Sequence, residues 1–230
     1  MYDYQRISSS RQYGGARAVL TGIVHGVLSG KYFAELATLP DAVNGCVPAG
    51  TPIKMDDDKR TAAIHYAFSV HETVAYLSGA TSISIKVSKS FEGSRARVGM
   101  ILAAAPTLYT GECAIPLTIT AINRTNSAYD TITVSCAAMS GNGSIAAGVI
   151  LVEVAENEDD NKFYIKVLPN ALTLYDVVKL PNAVELSIDG LFSQVDGVVL
   201  TRRIPPIAAC ILTYLREDGN TYFRYSNSKE

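Results

Sequence analysis

The sequence predicts a mainly β protein, a β-sandwich or barrel-like fold of short strands, with an extended N-terminal arm and a short helix near the C-terminus. Threonine, serine, valine, isoleucine and tyrosine recur throughout the 230 residues, and these residue types favour strands. Polar and apolar residues alternate in residues 82–89 and 131–136, which is the period of a strand with one buried face. Turn-forming sequences separate these runs.

Residues 1–17 predict an arm that has no hydrophobic core of its own. They are polar, carry Arg6, Arg11 and Arg17 against a single aspartate, and show no periodic apolar face. Residues 18–39 are apolar, but three glycines interrupt them, and each glycine in a helix interior costs about 1 kcal/mol. We therefore expect extended structure or a short docking element in this second stretch.

The central part of the chain predicts short strands joined by turns. Asn44-Gly45 suits a hairpin turn, because both residues tolerate positive φ. In the sequence SISIKVSK, isoleucine and valine lie on one face of a strand, and serine and lysine lie on the other. Residues 148–154 and 162–167 flank the acidic sequence ENEDDN and predict a hairpin. Other strands are predicted at residues 98–105, 117–122 and 131–136, and a turn at residues 140–144.

The C-terminal part predicts a strand at residues 184–188, then a helix and a last strand at residues 221–225. Pro205 and Pro206 can begin a helix but cannot lie inside one. Gly219 suits the end of that helix. Its apolar face would comprise Ile207, Cys210, Ile211, Tyr214 and Leu215. A β-hairpin that turns at Asp218-Gly219 is the alternative.

Three segments follow from these patterns. Residues 1–40 form an N-terminal arm and docking segment, residues 41–155 a β-rich domain, and residues 156–230 a smaller β-rich C-terminal region with the helix. A formal net charge of −2 gives no field that would attract nucleic acid or an anionic membrane surface. No stretch is apolar enough for a spanning helix, and the start lacks an apolar signal core. We therefore expect neither a membrane nor a specific nucleic acid as partner.

The acidic run Asp56-Asp57-Asp58 is the first candidate for a metal or catalytic site. A calcium loop requires alternating oxygen ligands, a glycine at its sharp turn and a closing acid, whereas Lys59 and Arg60 follow here at once. Three adjacent acids on a turn point in different directions. We interpret this run, and the similar ENEDDN, as the solvated tips of turns.

The histidines and cysteines predict no metal site, no cofactor and no catalytic residue. The three histidines, His25, His65 and His71, are dispersed along the chain. The cysteines, Cys46, Cys113, Cys136 and Cys210, match no zinc spacing and lie among apolar neighbours. We expect all four thiols to be reduced and at least three to be buried, and we expect the protein not to be an enzyme.

Two stretches carry a resemblance to a known family. Residues 47–53, VPAGTPI, resemble a strand start found in head decoration and head-fibre proteins of tailed phages. Residues 197–207, GVVLTRRIPPI, followed by YFRYS at residues 222–226, resemble the C-terminal segment of head-fibre and auxiliary capsid proteins. Counted as residues 47–53 and the whole end segment 197–226, the resemblance covers about a sixth of the chain, and it includes no catalytic residue.

The resemblance implies a structural virion protein that decorates or stabilises the outside of a phage capsid after synthesis in the host cytoplasm. Its expected partners are the major capsid protein and further copies of itself, with a trimer favoured. We expect the arm to bind the capsid through Arg6, Arg11, Tyr13 and Arg17, because arginine pairs with acidic groups and tyrosine suits interfaces. The alternative is a carbohydrate- or host-surface-binding module displayed on a virion, which the 13 tyrosines would suit.

Overall fold

The computed structural model describes the greater part of the chain. The described residues are 23–28, 32–34, 39, 46–89, 95–173, 175–177, 188, 190–196, 199–200, 204–217 and 225–226. The first strands within this part of the chain are β1 (Ile23–Leu28), β2 (Phe33–Ala34), β3 (Pro52–Asp56), β4 (Thr61–Ile64), β5 (Ala67–Ser69), β6 (Val74–Tyr76), β7 (Ser82–Ser88), β8 (Ile101–Ala104) and β9 (Leu117–Asn123). The remaining elements are β10 (Tyr129–Ser135), β11 (Gly143–Ile145), β12 (Ile150–Asn157), β13 (Lys162–Ile165), β14 (Ala171–Thr173), β15 (Gly190–Asp196), β16 (Val199–Leu200), α1 (Ala209–Glu217) and β17 (Tyr225–Ser226). The fold is mainly β, as the sequence predicts.

A seven-stranded sheet within residues 67–165 curls round on itself. Its strand order is β13-β12-β8-β9-β10-β7, and β5 also pairs with β12. In the middle of β12, Val152 is paired with Ala67 of β5 and with Ala103 of β8. Val70, which directly follows β5, makes an isolated bridge to Val87 of β7, the last strand of the order. The sheet therefore brings its far strand back towards β5, but a single bridge rather than a continuous ladder joins them.

Strand β7 illustrates how the sequence produces this curled sheet. Ile83, Ile85 and Val87 are buried, whereas Ser82 and Ser84 are exposed, so the predicted alternation is confirmed. Full burial of an isoleucine or valine side chain contributes about 1.5–3 kcal/mol. Inward-facing residues of the other strands join the same hydrophobic core, namely Phe68, Leu102, Leu117, Ile119, Ile132, Val134 and Leu151.

A six-stranded sheet shares that core. Its order is β1-β15-β14-β3-β4-β2, antiparallel throughout except for the parallel pair β2 and β4. The buried residues Ile53 and Met55 of β3, and Ala62 and Ile64 of β4, belong to the same core cluster as the curled sheet. Strands from all three predicted segments of the chain meet here, because β1 pairs with β15 and β3 pairs with β14. Main-chain hydrogen bonds thus join the three segments in one sheet.

The helix α1 covers the outer face of the curled sheet. It begins at Ala209, three residues after the Pro205-Pro206 pair, which confirms the predicted helix. Cys210, Ile211 and Leu215 are buried in a second hydrophobic cluster with outward-facing residues of β5, β8 and β12. Tyr214, the fourth residue of the predicted face, packs against Tyr109 with ring centroids 4.6 Å apart.

The structure tests one further predicted hairpin and one predicted turn, and other predicted elements lie outside the described residues. The predicted hairpin is confirmed, since β12 pairs with β13, but its turn is residues 158–161, because Glu156 and Asn157 of ENEDDN belong to β12. The predicted turn at residues 140–144 is too long, because Gly143 and Ser144 belong to β11, which pairs with β6. The Asn44-Gly45 turn and the strand at residues 184–188, apart from Ile188, lie outside the described residues, as does Gly219.

Candidate functional site

A cavity lies where the β2–β4 side of the six-stranded sheet meets the curled sheet. Its volume is about 470 Å³, within the range of small-molecule sites in proteins. One wall is largely apolar and comes from β2 and β4, with Phe33, Ala34, Ala62 and Ile64. The opposite wall carries charge. It comprises Tyr66, Arg97, Glu153, Lys166 and Val167.

A buried carboxylate is the centre of the charged wall. Glu153 lies in β12 with a side chain that is only 8% exposed. Its Oε1 atom is 2.9 Å from Lys166 Nζ and 3.8 Å from Arg97 Nη2. The Lys166 side chain is 46% exposed, so the charged wall reaches solvent at this lysine. One acid therefore lies between two cations at the cavity surface.

Within this wall, Arg97 lies over the ring of Tyr66. The Tyr66 ring is buried, and the Arg97 guanidinium carbon lies 5.0 Å from the ring centroid, a cation–π distance. Burial raises the pKa of Tyr66 to about 12, so the phenol is neutral at physiological pH. Part of the cavity lining is therefore an aromatic ring without charge.

Arg95 is a further cation close to this cluster and is almost completely buried. It donates a hydrogen bond to the Ala67 carbonyl at 3.2 Å and lies 5.9 Å from the centroid of the Phe68 ring. Its Nη1 atom has no hydrogen-bond partner within the described part of the chain. Burial lowers the pKa of Arg95 to about 10, which still leaves it protonated at neutral pH.

His65 is a buried, neutral histidine beside the same cluster. Its Nδ1 atom lies 2.8 Å from the Val167 carbonyl oxygen, which only accepts, so Nδ1 carries the proton. Nε2 is then an acceptor, and it has no partner among the described residues. Burial, with a smaller contribution from the Arg95 charge, lowers the pKa of His65 to about 4.

We expect this histidine to make folding stability depend on pH. An unfolded histidine has a pKa near 6.5, so between about pH 6.5 and pH 4 the unfolded chain binds a proton that the folded chain does not. The free energy of unfolding should therefore fall as the pH is lowered through this window, by about 3 kcal/mol in total. Urea unfolding at a series of pH values measures the effect.

A His65→Asn variant is the control for this prediction. Asparagine keeps an N–H donor for the Val167 carbonyl and does not titrate, so its stability should change less over the same pH window. Carboxylates elsewhere titrate equally in both proteins and cancel in the difference. Parallel curves for the two proteins would show that His65 is not the cause.

The acidic runs occupy hairpin tips, as the sequence predicts. Residues 57–60 form the turn between β3 and β4, and Asp56 accepts a hydrogen bond from the Lys59 amide at 3.0 Å. Asp57 also accepts a hydrogen bond from the buried Tyr32 hydroxyl at 2.6 Å, which ties this tip to the chain just before β2. In ENEDDN, Asp160 accepts a hydrogen bond from the Tyr164 hydroxyl at 2.7 Å.

The other candidate residues are dispersed or lie outside the described residues. His71 packs against Tyr129, with ring centroids 5.0 Å apart. No group of three or more histidine, cysteine, aspartate or glutamate side chains that could hold a metal ion occurs among the described residues. The predicted capsid-binding residues are Arg6, Arg11, Tyr13 and Arg17, all outside them.

The cysteines are free thiols, and most of them are buried. All four lie in the described part of the chain, and no disulfide joins them. Three are buried, as predicted, namely Cys46, Cys113 and Cys210. Burial raises the pKa of Cys113 to about 11, so this thiol stays protonated at neutral pH and is a poor nucleophile.

The two sequence stretches that carry the family resemblance meet in space. Gly50, in the first stretch, has a φ of 81°, and a Cβ atom placed on it would overlap the side chain of Ile204, in the second. Around this contact, Gly50 donates its amide hydrogen to the Thr173 carbonyl at 2.8 Å. The Thr51 and Thr173 hydroxyls both donate to the Pro48 carbonyl, at 2.6 and 2.8 Å. We call this contact, residues 47–53 with residues 204–207, the motif joint.

The cavity residues were not identified from the sequence. One of these residues could have been found from the sequence, because Glu153 is the only charged residue in the apolar run GVILVEVA. A charge inside an apolar strand requires a partner, and this requirement points to a buried polar cluster. Arg97 and Lys166 gave no comparable signal, since single basic residues between polar and apolar neighbours are common on surfaces.

Comparison with known proteins gives no relative. No protein-family model matches the chain, and neither a curated protein nor a solved structure matches it. Within the described residues, no helix combines the length and apolar character needed to cross a membrane.

Proposed function

We propose that this chain is a structural virion protein that decorates or stabilises the outside of a phage capsid. The motif joint is the observation that supports this proposal. The two stretches that resemble head decoration and head-fibre proteins lie far apart in sequence, yet Gly50 packs closely against Ile204. Such a joint fixes a scaffold rather than a catalytic group, which agrees with a role in binding rather than in turnover.

The proposal assigns the chain a place and partners. The protein is made in the host cytoplasm and lies on the capsid exterior, where it binds the major capsid protein and associates with itself, a trimer being the favoured state. Its role needs no enzymatic activity, no cofactor and no nucleic acid. Analytical ultracentrifugation of the purified protein gives the number of copies in the assembly.

The N-terminal arm is the proposed anchor. Arg6, Arg11, Tyr13 and Arg17 precede β1, whose pairing with β15 begins at Ile23 and holds it at one side of the six-stranded sheet. An arm without its own core would order on the capsid, where contacts with the partner offset the loss of chain entropy. The arginines would pair with acidic groups of the capsid protein.

Deletion of residues 1–17 should abolish capsid attachment or weaken it strongly, while the melting temperature stays nearly unchanged. The deletion removes the arginines of the arm and leaves β1 and its pairing with β15 intact. Co-sedimentation with capsids lacking the protein measures attachment, and differential scanning calorimetry measures stability.

A charge-matched control separates a specific anchor from general attraction. Replacing Arg6, Arg11 and Arg17 with alanine in the full chain should reproduce the loss of attachment. Alanine at the exposed Lys54, Lys59 and Lys162 removes the same charge from the β-rich body and should leave attachment unchanged. Equal attachment of the truncated and full-length proteins would instead place the capsid contact in the body.

A second candidate function is supported by the cavity. A carbohydrate- or host-surface-binding module needs a concave site that combines an aromatic or apolar wall with a few converging polar groups. The cavity provides Phe33 on one side and Arg97, Glu153 and Lys166 on the other. Such a module can be displayed on a decoration protein, so the two functions are compatible. Binding of a soluble saccharide by the purified protein tests it.

A further inference from the structure

One end of the curled sheet is built from residues without charge. Residues 73–82 and 135–148 include no aspartate, glutamate, lysine, arginine or histidine, although 18% of the whole chain is charged. Most of these residues are exposed, and they are mainly serine, threonine, alanine and glycine. Exposed positions in soluble proteins usually include many charged side chains. We call residues 73–82 and 135–148 the uncharged end.

Backbone hydrogen bonds join the two stretches of the uncharged end. Strand β6 pairs with β11, and the start of β7 pairs with the end of β10. Between these two pairings, the Gly79 amide donates to the Met139 carbonyl at 2.9 Å, and the Cys136 amide donates to the Thr81 carbonyl at 3.0 Å. The two stretches therefore form one continuous surface.

The ribbon of β6 and β11 has one face in the core and one face in solvent. Its inward-facing residues pack against the main hydrophobic core, whereas Ala75 and Ser144, which pair with each other, are exposed. Leu77 follows β6 directly and is 72% exposed, the highest value for a large hydrophobic residue in the described part of the chain. Burial of this side chain against another molecule would be favourable.

Hydrogen bonds hold the loops of the uncharged end in a defined conformation. Asn142 Oδ1 accepts a hydrogen bond from the Ser78 amide at 2.8 Å, and the Ser78 hydroxyl accepts one from the Gly141 amide at 3.3 Å. The Thr73 hydroxyl accepts one from the Ala147 amide at 3.1 Å. These bonds satisfy backbone donors within the surface itself. A surface ordered in advance loses little conformational entropy when a partner binds.

The lack of charge limits what this surface can bind. A partner with charged groups would bury them against a surface that offers no opposite charge, which is costly. The N-terminal arm, with its three arginines, is therefore a poor occupant, and so are the charged hairpin tips at residues 57–60 and 158–161. The uncharged end of a second copy meets the requirement unchanged. Closed symmetric oligomers bring such like surfaces together around an axis.

We propose that the uncharged end is the surface through which copies of this chain associate, with Leu77 buried between them. The centre of a protein interface is depleted of charge, and its rim is polar. Glu72 and Lys86 border the uncharged end in sequence and lie 2.6 Å apart, so they compensate each other within one copy. The inference rests on the proposed function, because a decoration protein is expected to self-associate, and it assigns that association to a surface.

Sedimentation velocity of the full chain tests this surface. The parent should associate with a dissociation constant of about 10 μM or lower. Leu77→Asp buries a charge without a partner in the interface and should weaken association at least about hundredfold. Leu108→Asp is the matched control, since Leu108 is 65% exposed and lies in the loop after β8, outside the uncharged end. It should associate as the parent does. An equal loss in both variants, or in neither, overturns the proposal.

A second pair of variants makes the test independent of Leu77. Ser144→Lys places a charge on the exposed face of β11, and Ser127→Lys places the same charge in the exposed turn between β9 and β10. Both should melt at the temperature of the parent, because each replaced side chain is exposed. Only Ser144→Lys should weaken association, by about tenfold or more. Normal association of folded Ser144→Lys overturns the proposal.

Capsid co-sedimentation separates this surface from the decoration function. A parent that stays monomeric at about 100 μM, yet attaches to capsids through its arm, overturns the surface and leaves the decoration function standing. If Leu77→Asp abolishes the attachment of such a monomeric parent, the uncharged end is a capsid contact, and the proposal is again overturned. Association that depends on Leu77, without any capsid attachment, supports the surface and overturns the decoration function.

Discussion

Replacing Gly50 with alanine should lower the free energy of unfolding by about 3 kcal/mol or more. Gly50 has a φ of 81°, where a residue with a Cβ atom costs about 1–2 kcal/mol. The new Cβ would also overlap Cγ2 of Ile204 and lie 3.0 Å from its Cβ. Ile204 is 2% exposed and has little room to move, so overpacking adds about 1–3 kcal/mol. Urea denaturation gives the value.

Two other glycines separate the backbone cost from the packing cost. Gly79 and Gly148 have φ values of 80° and 82°, but nothing lies within 4 Å of a Cβ placed on either. Alanine there should cost about 1–2 kcal/mol, the backbone contribution alone. The double variant Gly50→Ala with Ile204→Ala should lose less stability than the sum of its two single variants, because truncation of Ile204 removes the overlapping methyl group. If all three single variants lose the same stability, the motif joint contributes nothing specific.

Replacing Asp130 with alanine should destabilise the fold by about 3–5 kcal/mol. Asp130 lies in β10 with a side chain that is 1% exposed, and its Oδ1 atom is 3.0 Å from Lys89 Nζ. Neither carboxylate oxygen has a hydrogen-bond partner among the described residues, so ion pairing with Lys89, and with Arg124 at 4.0 Å, provides the compensation. Without Asp130, the Lys89 ammonium would be largely buried without an anion. Chemical denaturation measures the loss.

A solvent-exposed ion pair provides the control. Glu112 and Lys162 are about half exposed and lie 2.9 Å apart, and Glu112→Ala should change stability by less than about 1 kcal/mol. A double variant, Asp130→Leu with Lys89→Met, should lose less than the sum of its single variants, because no buried charge is left alone. Simple additivity would show that the buried pair is not coupled.

The spacing of apolar and polar residues along the sequence predicted the strands and the helix, because residues close in sequence define their buried faces. The alternation in β7 and the helical spacing of Cys210, Ile211 and Leu215 each specify which face is buried, and the structure confirms both. A strand or helix with one apolar face buries that face whatever it packs against, so the spacing of its apolar residues can be recognised in the sequence. The acidic tips were identified for the same reason, since a run of charge between two apolar runs cannot lie in a core.

Long-range pairing was not predictable in the same way. Nothing in residues 52–56 specifies that β3 pairs with β14, because any half-buried strand can pair with another of matching length. The cavity likewise depends on contacts between distant parts of the chain. Glu153 and Lys166 lie opposite each other at the end of the β12–β13 hairpin, where the Lys166 amide donates to the Glu153 carbonyl at 3.1 Å. Arg97 and the residues of β2 and β4 come from distant parts of the chain, and only the packing of the two sheets brings them to this pair.

The strand order of the six-stranded sheet has a consequence for the chain as it leaves the ribosome. Strands β5 to β13 lie within residues 67–165, so the curled sheet can form from one continuous stretch during synthesis. By contrast, β1 cannot pair until β15 has been synthesised, since Leu28 of β1 pairs with Gly190 of β15. Strand β1 is therefore translated long before its partner, and nascent chains carry an unsatisfied strand edge that invites contact with neighbouring chains or chaperones. Slower translation of residues 165–190 would prolong that exposure.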